Sequence, residues 1–430
     1  MFKKNLLEKI KNKRAIVGVI GLGYVGLPLC CALLKKNYQV YGFDKDEKKL
    51  KILKNGKVYL PNIKQDFIKK NSSKFHISKI NSKINECDII LICVPTPVNK
   101  KKQPDLDPIR KSMIAISPYL KKGQMIILES STYPGTTNDL IAQKLKNKFI
   151  FGNNFFIGYS PEREDPGNKK FNLKNTPKIT SGLTKNCEEL TNYFYKKIVK
   201  KIIPVSSIET AEFTKLYENS FRSINIALAN EAKILCKRIG ININEVVDAA
   251  KSKPFGFNAF YPGPGVGGHC IPVDPLYLSW IAKKRGLKMD FINLAGRIND
   301  QMPKWIFQNI KKIFRINKIF KPKILLIGIA YKKDVGDYRE SPSLKLIKIF
   351  IKNNIIFSYH DKFVKKIQTR EFKNKFRSVK LNKSTLKKFD GTIIMTNHSY
   401  LNKNLIINNS KIIFDTRNFF NRDYKNIIKL

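Results

Sequence analysis

The apolar run AIVGVI, residues 15–20, leads without a break into GLGYVGLPLCCALLKK. Few folds accept that order of residues. A short buried strand must pass through a glycine turn into a helix. Gly21, Gly23 and Gly26 spell G-x-G-x-x-G. The first allows the tight turn, the second lets a pyrophosphate approach the backbone, and the third lets the helix pack on the strand. Tyr24 and Val25 lie between them, so their backbone N–H groups and the helix dipole face the phosphates. The next strand, YQVYGFD (38–44), ends in Asp44, 23 residues after Gly21. A carboxylate there can accept hydrogen bonds from both ribose hydroxyls and repels a 2′-phosphate, which favours NAD over NADP. Lys45 beside it softens that preference.

Strand-like runs continue at 87–97, 124–137 and 155–165, alternating with helical segments, as in a parallel, doubly wound sheet. Residues 206–240 contain no proline and only a terminal glycine. Ile224, Leu228, Ala232 and Leu235 recur there at helical spacing, so one long helix is expected, of a length that joins domains or subunits. Further helix is expected over 242–252 and 275–301. Strand runs return at 321–331, 353–361, 389–400 and 410–418. The expected fold class is α/β: two Rossmann-like doubly wound domains joined by a long central helix and a helical middle domain. The boundaries are 1–205, 206–305 and 320–430. The last domain lacks the tight glycine fingerprint and must hold a nucleotide differently.

The formal charge is +49, from 82 Lys and Arg against 33 Asp and Glu. A basic nucleic-acid-binding protein is the different-class alternative, but it requires clustered Lys/Arg with aromatics. Here lysine is dispersed along the chain, as a compositional bias of the surface, and it favours anionic substrates. No stretch approaches the ~20 apolar residues of a membrane span. No apolar signal core precedes a cleavage site, so the expected location is the cytoplasm. The seven cysteines are odd in number and contain no C-x-x-C pair, which argues against a disulfide framework or a metal site. Six sit in apolar patterns and are expected to be inert core residues. Cys270 instead lies in FYPGPGVGGHCIPVDP (260–275), with Asp274 four residues on, and is the candidate nucleophile. A thiol of ordinary pKa, about 8.5, needs activation. Lys215 and Asn219 are i and i+4 on the long helix; such a pair can orient water and stabilise an oxyanion, and is equally the pattern of a solvated surface. His269 points away from Cys270 in an extended loop and reads as a loop residue.

GLGYVGLPL, CVPTP, ESSTYPGTT, YSPERED, KLYENSFRSINIALANE, GVGGHCIPVDP and AYKKDVGDYRESPS occur in the order found in the nucleotide-sugar 6-dehydrogenases. From about residue 14 to 418 the chain resembles this family, the UDP-glucose/GDP-mannose dehydrogenases. It looks most like the branch acting on UDP-N-acetylglucosamine or -galactosamine, whose versions of the loops read KPFGFNAFYPGPGVGGHCIPVDP and SPEREDPG. The resemblance implies oxidation of the sugar C6 hydroxyl to a carboxylate with two NAD in succession. The cysteine matching Cys270 captures the aldehyde as a thiohemiacetal that becomes a thioester. It implies that Lys215 and Asn219 bind the oxyanion and organise water. Asp274 supports them, and Glu162 and Thr132 belong to the water and proton-transfer chain. The backbone of Tyr261–Gly267, including Gly265, wraps the sugar nucleotide with Lys332. Arg339 reaches the cofactor, Thr96 and Pro97 turn beneath its nicotinamide half, and Glu340 and Ser341 complete the last motif. A homodimer or larger homo-oligomer and a role in surface polysaccharide synthesis are implied as well, with no nucleic acid or membrane partner.

One departure bears on the substrate. UDP-glucose dehydrogenases carry Arg-Ile-Gly before the cysteine loop, where this chain has Pro254-Phe255-Gly256. That lowers the expectation of UDP-glucose, and the surround of Phe255 and Phe257 suits an N-acetyl group. UDP-glucose or GDP-mannose oxidation remains the sibling alternative.

Overall fold

A computed structural model describes residues 1–60, 63–99, 101–163, 171–369, 372, 375–420, 422 and 424–430. The second half of SPEREDPG, from Glu164 to Gly167, lies outside the described residues. The chain forms two compact units, Met1–Glu218 with Trp280–Gly286, and Asn219–Ser279 with Leu287–Leu430.

In the first unit the strands are β1 (Ile16–Ile20), β2 (Gln39–Phe43), β3 (Phe75–Ser78), β4 (Ile89–Ile92), β5 (Met125–Leu128), β6 (Phe156–Tyr159), β7 (Lys178–Gly182) and β8 (Ile202–Pro204). They form one sheet in the order β3-β2-β1-β4-β5-β6-β7-β8. Every named pair in it is parallel except β6 with β7. β4, β5 and β6 are buried at every residue, because helices cover both faces of such a sheet. The chain reverses its direction of progress between β1 and β4, which opens a crevice at their carboxyl ends. The helix Gly26–Lys35 buries Leu27, Leu29, Cys30, Leu33 and Leu34 in this core.

The second unit holds β9 (Lys323–Ile327), β10 (Ile356–His360), a short antiparallel pair β11 (Lys366–Ile367) and β12 (Phe376–Arg377), then β13 (Gly391–Ile394), β14 (Ile413–Asp415) and β15 (Ile427–Lys429). The main sheet runs β10-β9-β13-β14-β15, all parallel. Both expected doubly wound sheets are therefore present. The expected strands are shorter than their apolar runs, since the carboxyl ends turn into loops.

The long helix spans Ile208–Ile239. Its buried side differs from the expected stripe: Ser223, Ala227, Asn230 and Lys233 face the core, while Leu228 and Leu235 are 62% and 59% exposed. Asn230 is held by Asn299 and by the backbone N–H of Gly263, each at 2.9 Å. Helix expected over 275–301 is two helices, Asp274–Lys284 and Asp290–Ile316. Gly286, at φ +75°, ends the first in the left-handed conformation that glycine accepts. The second continues through Pro303 to a buried face of Met302, Ile306, Ile310 and Phe314.

Five cysteines are buried, and burial pushes the Cys31 thiol up to about 12. Cys236 is a correction: it is half-buried, lining a cleft of about 300 Å³ with Lys233 and Lys237. Cys270 is exposed. Among the described residues no helix is long and apolar enough to cross a membrane, and no His, Cys, Asp and Glu group is suited to a metal ion.

Candidate active site

Local chemistry shapes the turn after β1. Gly21 has φ +92°, and its N–H donates to Phe43 O at 2.7 Å, tying the turn to the end of β2. A Cβ on Gly26 would stand 1.9 Å from Gly21 O, whereas one on Gly23 would meet nothing within 4 Å. Gly26 is thus required by packing, and Gly23 leaves the backbone open to a ligand. Val25, at the N-cap of the following helix, supplies no capping side chain, so the first-turn donors are not covered from that side. Asp44 accepts from Leu22 N and Asp46 N, both at 2.9 Å, one on each oxygen. A carboxylate oxygen has two acceptor sites, so Asp44 retains capacity for ribose hydroxyls. Gly21, Gly23, Tyr24, Val25, Gly26 and Asp44 therefore fit a dinucleotide.

Thr96, Thr132 and Glu162 follow the carboxyl ends of β4, β5 and β6, three neighbouring strands, so the sheet gathers them on one edge of the first unit. Thr96 and Thr132 are buried. Thr132 Oγ1 donates to Glu212 Oε1 at 3.3 Å. Glu212 also accepts from Gly135 N at 2.6 Å and from Thr137 N and Oγ1 at 2.9 and 2.6 Å. It lies on the long helix, three residues before Lys215, and ties the Thr132 loop to that helix. Burial pushes the Glu212 carboxyl up to about 7, against the pull of the Thr137 and Gly135 donors. Beside Glu162 stands a second group that the sequence reading missed. Lys178 Nζ donates to Glu129 Oε2 at 2.7 Å and Pro161 O at 3.2 Å, and lies 3.7 Å from Glu162 Oε2. Burial disfavours that ammonium, but Glu129 and Glu162 outweigh it, and Lys178 sits above the ordinary lysine value. The sequence carried a signal for Glu129 alone, a charge set directly after the apolar run MIIL; Lys178 stands in the polar stretch TPKITSG and is not marked out.

In the second unit the cysteine loop packs against the segment 331–342. Cβ atoms on Gly267 and Gly268 would stand 2.6 and 2.8 Å from Tyr331 side-chain atoms, and Gly268 N donates to Arg339 O at 2.9 Å. These glycines thus serve close packing within the protein, and the contact joins Cys270 and His269 to the segment that carries Lys332 and Arg339. Gly265 likewise lies against Asn299 O, 2.9 Å from where its Cβ would be. Asp337 grips Arg339 through Nε at 3.0 Å and Nη2 at 2.6 Å. His269 is pushed down to about 4, first by burial and then by Arg339, so its imidazole is neutral near pH 7. Asp274 N donates to Cys270 O at 2.8 Å, and Asn219 Nδ2 donates to Asp274 Oδ2 at 2.5 Å with both side chains buried. That bond fixes the amide, which the i, i+4 spacing alone left undetermined. Lys215, also buried, lies one turn earlier on the same helix. Tyr261 is 45% exposed, its hydroxyl donating to Asp248 at 2.5 Å.

Three family models match the chain in succession. They are the NAD binding domain, the central domain and the UDP binding domain of the UDP-glucose/GDP-mannose dehydrogenase family, over residues 15–199, 209–301 and 325–422. A UDP-N-acetyl-D-mannosamine dehydrogenase of Methanococcus aeolicus is 33% identical over 397 residues, covering 91% of this chain and 87% of its own. A UDP-N-acetyl-D-glucosamine 6-dehydrogenase of Salmonella typhi is 35% identical over 388 residues, covering 89% of each chain. The solved structure of a UDP-D-ManNAc dehydrogenase from Pyrococcus horikoshii superposes with a TM-score of 0.87 at 29% identity, over 96% of this chain and 98% of the other.

Proposed function

Since the chain belongs to the UDP-glucose/GDP-mannose dehydrogenase family and binds NAD, we propose that it oxidises C6 of a UDP-N-acetylhexosamine to the uronic acid. The observation that carries this reading is an exposed thiol, Cys270, at the end of a packed glycine loop, one turn before the buried Asp274–Asn219 pair. Relatives named for UDP-N-acetylmannosamine and UDP-N-acetylglucosamine support the substrate class and widen the expected choice of sugar to ManNAc. The absence of Arg-Ile-Gly at 254–256 supports it too, with Phe255 and Phe257 exposed there.

The residues have separable tasks. Gly21, Gly23, Tyr24, Val25, Gly26 and Asp44 hold the dinucleotide, with Thr96 at the nicotinamide side, and the family resemblance assigns Arg339 to the cofactor as well. NAD supplies the hydride acceptor for both oxidations. Cys270 sulfur bonds to the aldehyde carbon, and the carbonyl oxygen becomes an oxyanion and then a hydroxyl. After the second oxidation the sulfur is acyl-linked, water adds to that carbon, and the C–S bond breaks to release carboxylate and thiol. Lys215 and Asn219 stabilise the oxygen that carries charge in these steps, and Asp274 orients Asn219. Thr132 and Glu162 order water in the proton-transfer chain, and the Glu162 carboxylate accepts the proton. Tyr261, Gly265, Gly267 and Lys332 bind the sugar nucleotide. The segments 1–205, 206–305 and 320–430 divide the work between cofactor, cysteine loop and UDP. The enzyme acts in the cytoplasm and supplies a uronic acid for surface polysaccharide. Phe221, Leu228, Leu235 and Ile239 are 44%, 62%, 59% and 58% exposed at spacings of seven, seven and four, a stripe that supports a homodimer along this helix.

Two measurements test this. Steady-state rates on UDP-GlcNAc, UDP-GalNAc, UDP-ManNAc and UDP-glucose should favour an N-acetylated sugar; a strong preference for UDP-glucose defeats the substrate assignment. Cys270→Ser should stop after the first oxidation, and uronate made at the wild-type rate defeats the covalent route.

A further inference from the structure

The sheet of the first unit is parallel throughout its named strands except at one pair, and that exception has a chemical consequence. β7 runs antiparallel to β6, with Gly158 opposite Gly182 and Tyr159 opposite Ser181. Continuing the same register three residues further sets Glu162 opposite Lys178. A parallel β7 would have brought its other end there. Lys178 is 2% exposed, and its ammonium has three hydrogens to place. One goes to Glu129 and one to the Pro161 carbonyl, leaving the third side toward Glu162 at 3.7 Å. Glu129 is fixed in turn by the Tyr195 hydroxyl.

We propose that Lys178 is a positioning residue that holds Glu162 as an oriented carboxylate at the end of β6, through an ammonium shared with buried Glu129. The proposal rests on the assignment of Glu162 to the proton-transfer chain. Burial pushes the Glu129 carboxyl up and Lys178 pulls it down; with both carboxyls ionised, two carboxylates and one ammonium leave one excess negative charge. Glu129 and Lys178 side chains are 0% and 3% exposed, whereas that of Glu162 is 14% exposed, so the excess charge meets water at Glu162. The Pro161 carbonyl contact fixes the backbone just before Glu162, and Arg163 N donates to Glu162 Oε1 at 2.6 Å from the other side. Among the described residues, Glu129 and the buried thiol of Cys93 also act on Glu162 electrostatically, and burial raises that thiol well above the ordinary cysteine value. The Arg163 guanidinium is engaged by Glu218.

The geometry makes opposite predictions for the two partners of the ammonium. In Lys178→Met, Glu162 loses its cation and should protonate more readily. The acid limb of the kcat profile then moves to higher pH by about one pH unit, so kcat on that limb falls about tenfold at a given pH while the plateau near pH 7 changes little, with KM for NAD within about twofold. In Glu129→Gln, Lys178 no longer divides its charge, and the acid limb moves to lower pH. Both are measured on the full-length enzyme with NAD and the preferred UDP-sugar. If Lys178→Met fails to fold, the Glu129→Gln profile decides alone. Displacement in opposite directions, or the downward shift of Glu129→Gln alone, supports the proposal. Profiles unmoved, or moved the same way with a lowered unfolding midpoint, show Lys178 to be a fold-stabilising ion pair and nothing more. Glu162→Gln separates the premise from the proposal, because a wild-type rate there removes Glu162 from the chemistry whatever Lys178 does.

Discussion

The two α/β crossovers of this molecule begin alike and end differently. In the first, Gly21 at φ +92° donates to the end of β2, and Asp44 accepts from Leu22 N. In the second, Gly328 at φ +92° donates to His360 O at 2.9 Å, and Asp361 accepts from Ile329 N at 2.8 Å and Ala330 N at 3.0 Å. The backbone frame is the same. The helix then starts at Gly26 in the first crossover, but at Pro342, after a long insertion, in the second. Asp361 differs as well. It is fully buried, its other oxygen accepts from Phe363 N and Val364 N, and His398 lies 3.2 Å from Oδ2. Burial alone would raise this carboxyl, but His398 and the backbone donors hold it below the usual range. One carboxylate stays available to a ligand; the other is consumed by the fold. Asp361 thus has no oxygen to spare for a nucleotide, and under the proposed function the sugar nucleotide is left to the inserted segment that carries Lys332.

Removing the two carboxylates in turn tests this division of roles most directly. Asp361→Ala should lose about 3–5 kcal/mol of stability, since it strands buried donors and His398. Asp44→Ala strands Leu22 N and Asp46 N and should lose a smaller amount, about 1–2 kcal/mol, but raise KM for NAD about tenfold. Urea unfolding and steady-state kinetics check both, and an exchange of the two phenotypes would refute the division of roles. Within the first crossover the glycines separate in the same manner. Gly26→Ala forces a Cβ onto Gly21 O and should destabilise by about 1–3 kcal/mol. Gly23→Ala meets no protein atom and should spare stability while weakening NAD binding, as thermal unfolding with and without NAD would show.

What the sequence made legible was local. The first crossover could be read because its three glycines fall within six residues and Gly26 answers to Gly21 O inside that stretch, while Asp44 closes the next strand at the spacing the turn requires. The pairing of Lys178 with Glu129, 49 residues apart, depends on an antiparallel strand that no short motif announces. β3, FHIS, was missed because it is half-polar at the sheet edge, with one residue of four buried. The long helix was legible in extent but not in facing: Asn230 and Lys233 are turned inward by partners on distant segments, Asn299 and Thr416, while Leu228 is left outside. For the site, Cys270 stood out by its loop chemistry. Asn219 was named from its spacing with Lys215 and Asp274 from its place in the cysteine loop, their roles came from the family resemblance, and the hydrogen bond between them supplies the physical reason they belong together.

The units also differ in the sign of their buried charge. Glu212 in the first titrates near 7, above its ordinary 4.5, so the folded form favours its proton. Its contribution is complete at acid pH and is lost as pH rises from about 4.5 through about 7. Glu212→Gln should flatten that decline, about 2 kcal/mol across the window, in unfolding free energies measured at steps of pH. A decline as steep as in the wild type would place the titration elsewhere.

Lys233 in the second unit behaves in the opposite sense. Burial drives it down to about 7, and Asp415 only partly offsets this. Its hydrogen bond to Thr416 O is 3.4 Å, long for an ammonium. A folded value below the ordinary 10.5 means that the folded state favours the neutral amine. Stability from this group is present at high pH and is lost as pH falls toward 7, where the ammonium must be accommodated without a carboxylate at hydrogen-bonding distance in the contacts described. Lys233→Met keeps the stem, discards the charge and leaves Thr416 O beside the cleft, where water can reach it. It should raise stability by about 1 kcal/mol at pH 7 and by less at pH 9. Differential scanning at the two pH values distinguishes this from simple improvement in packing, which would give the same gain at both.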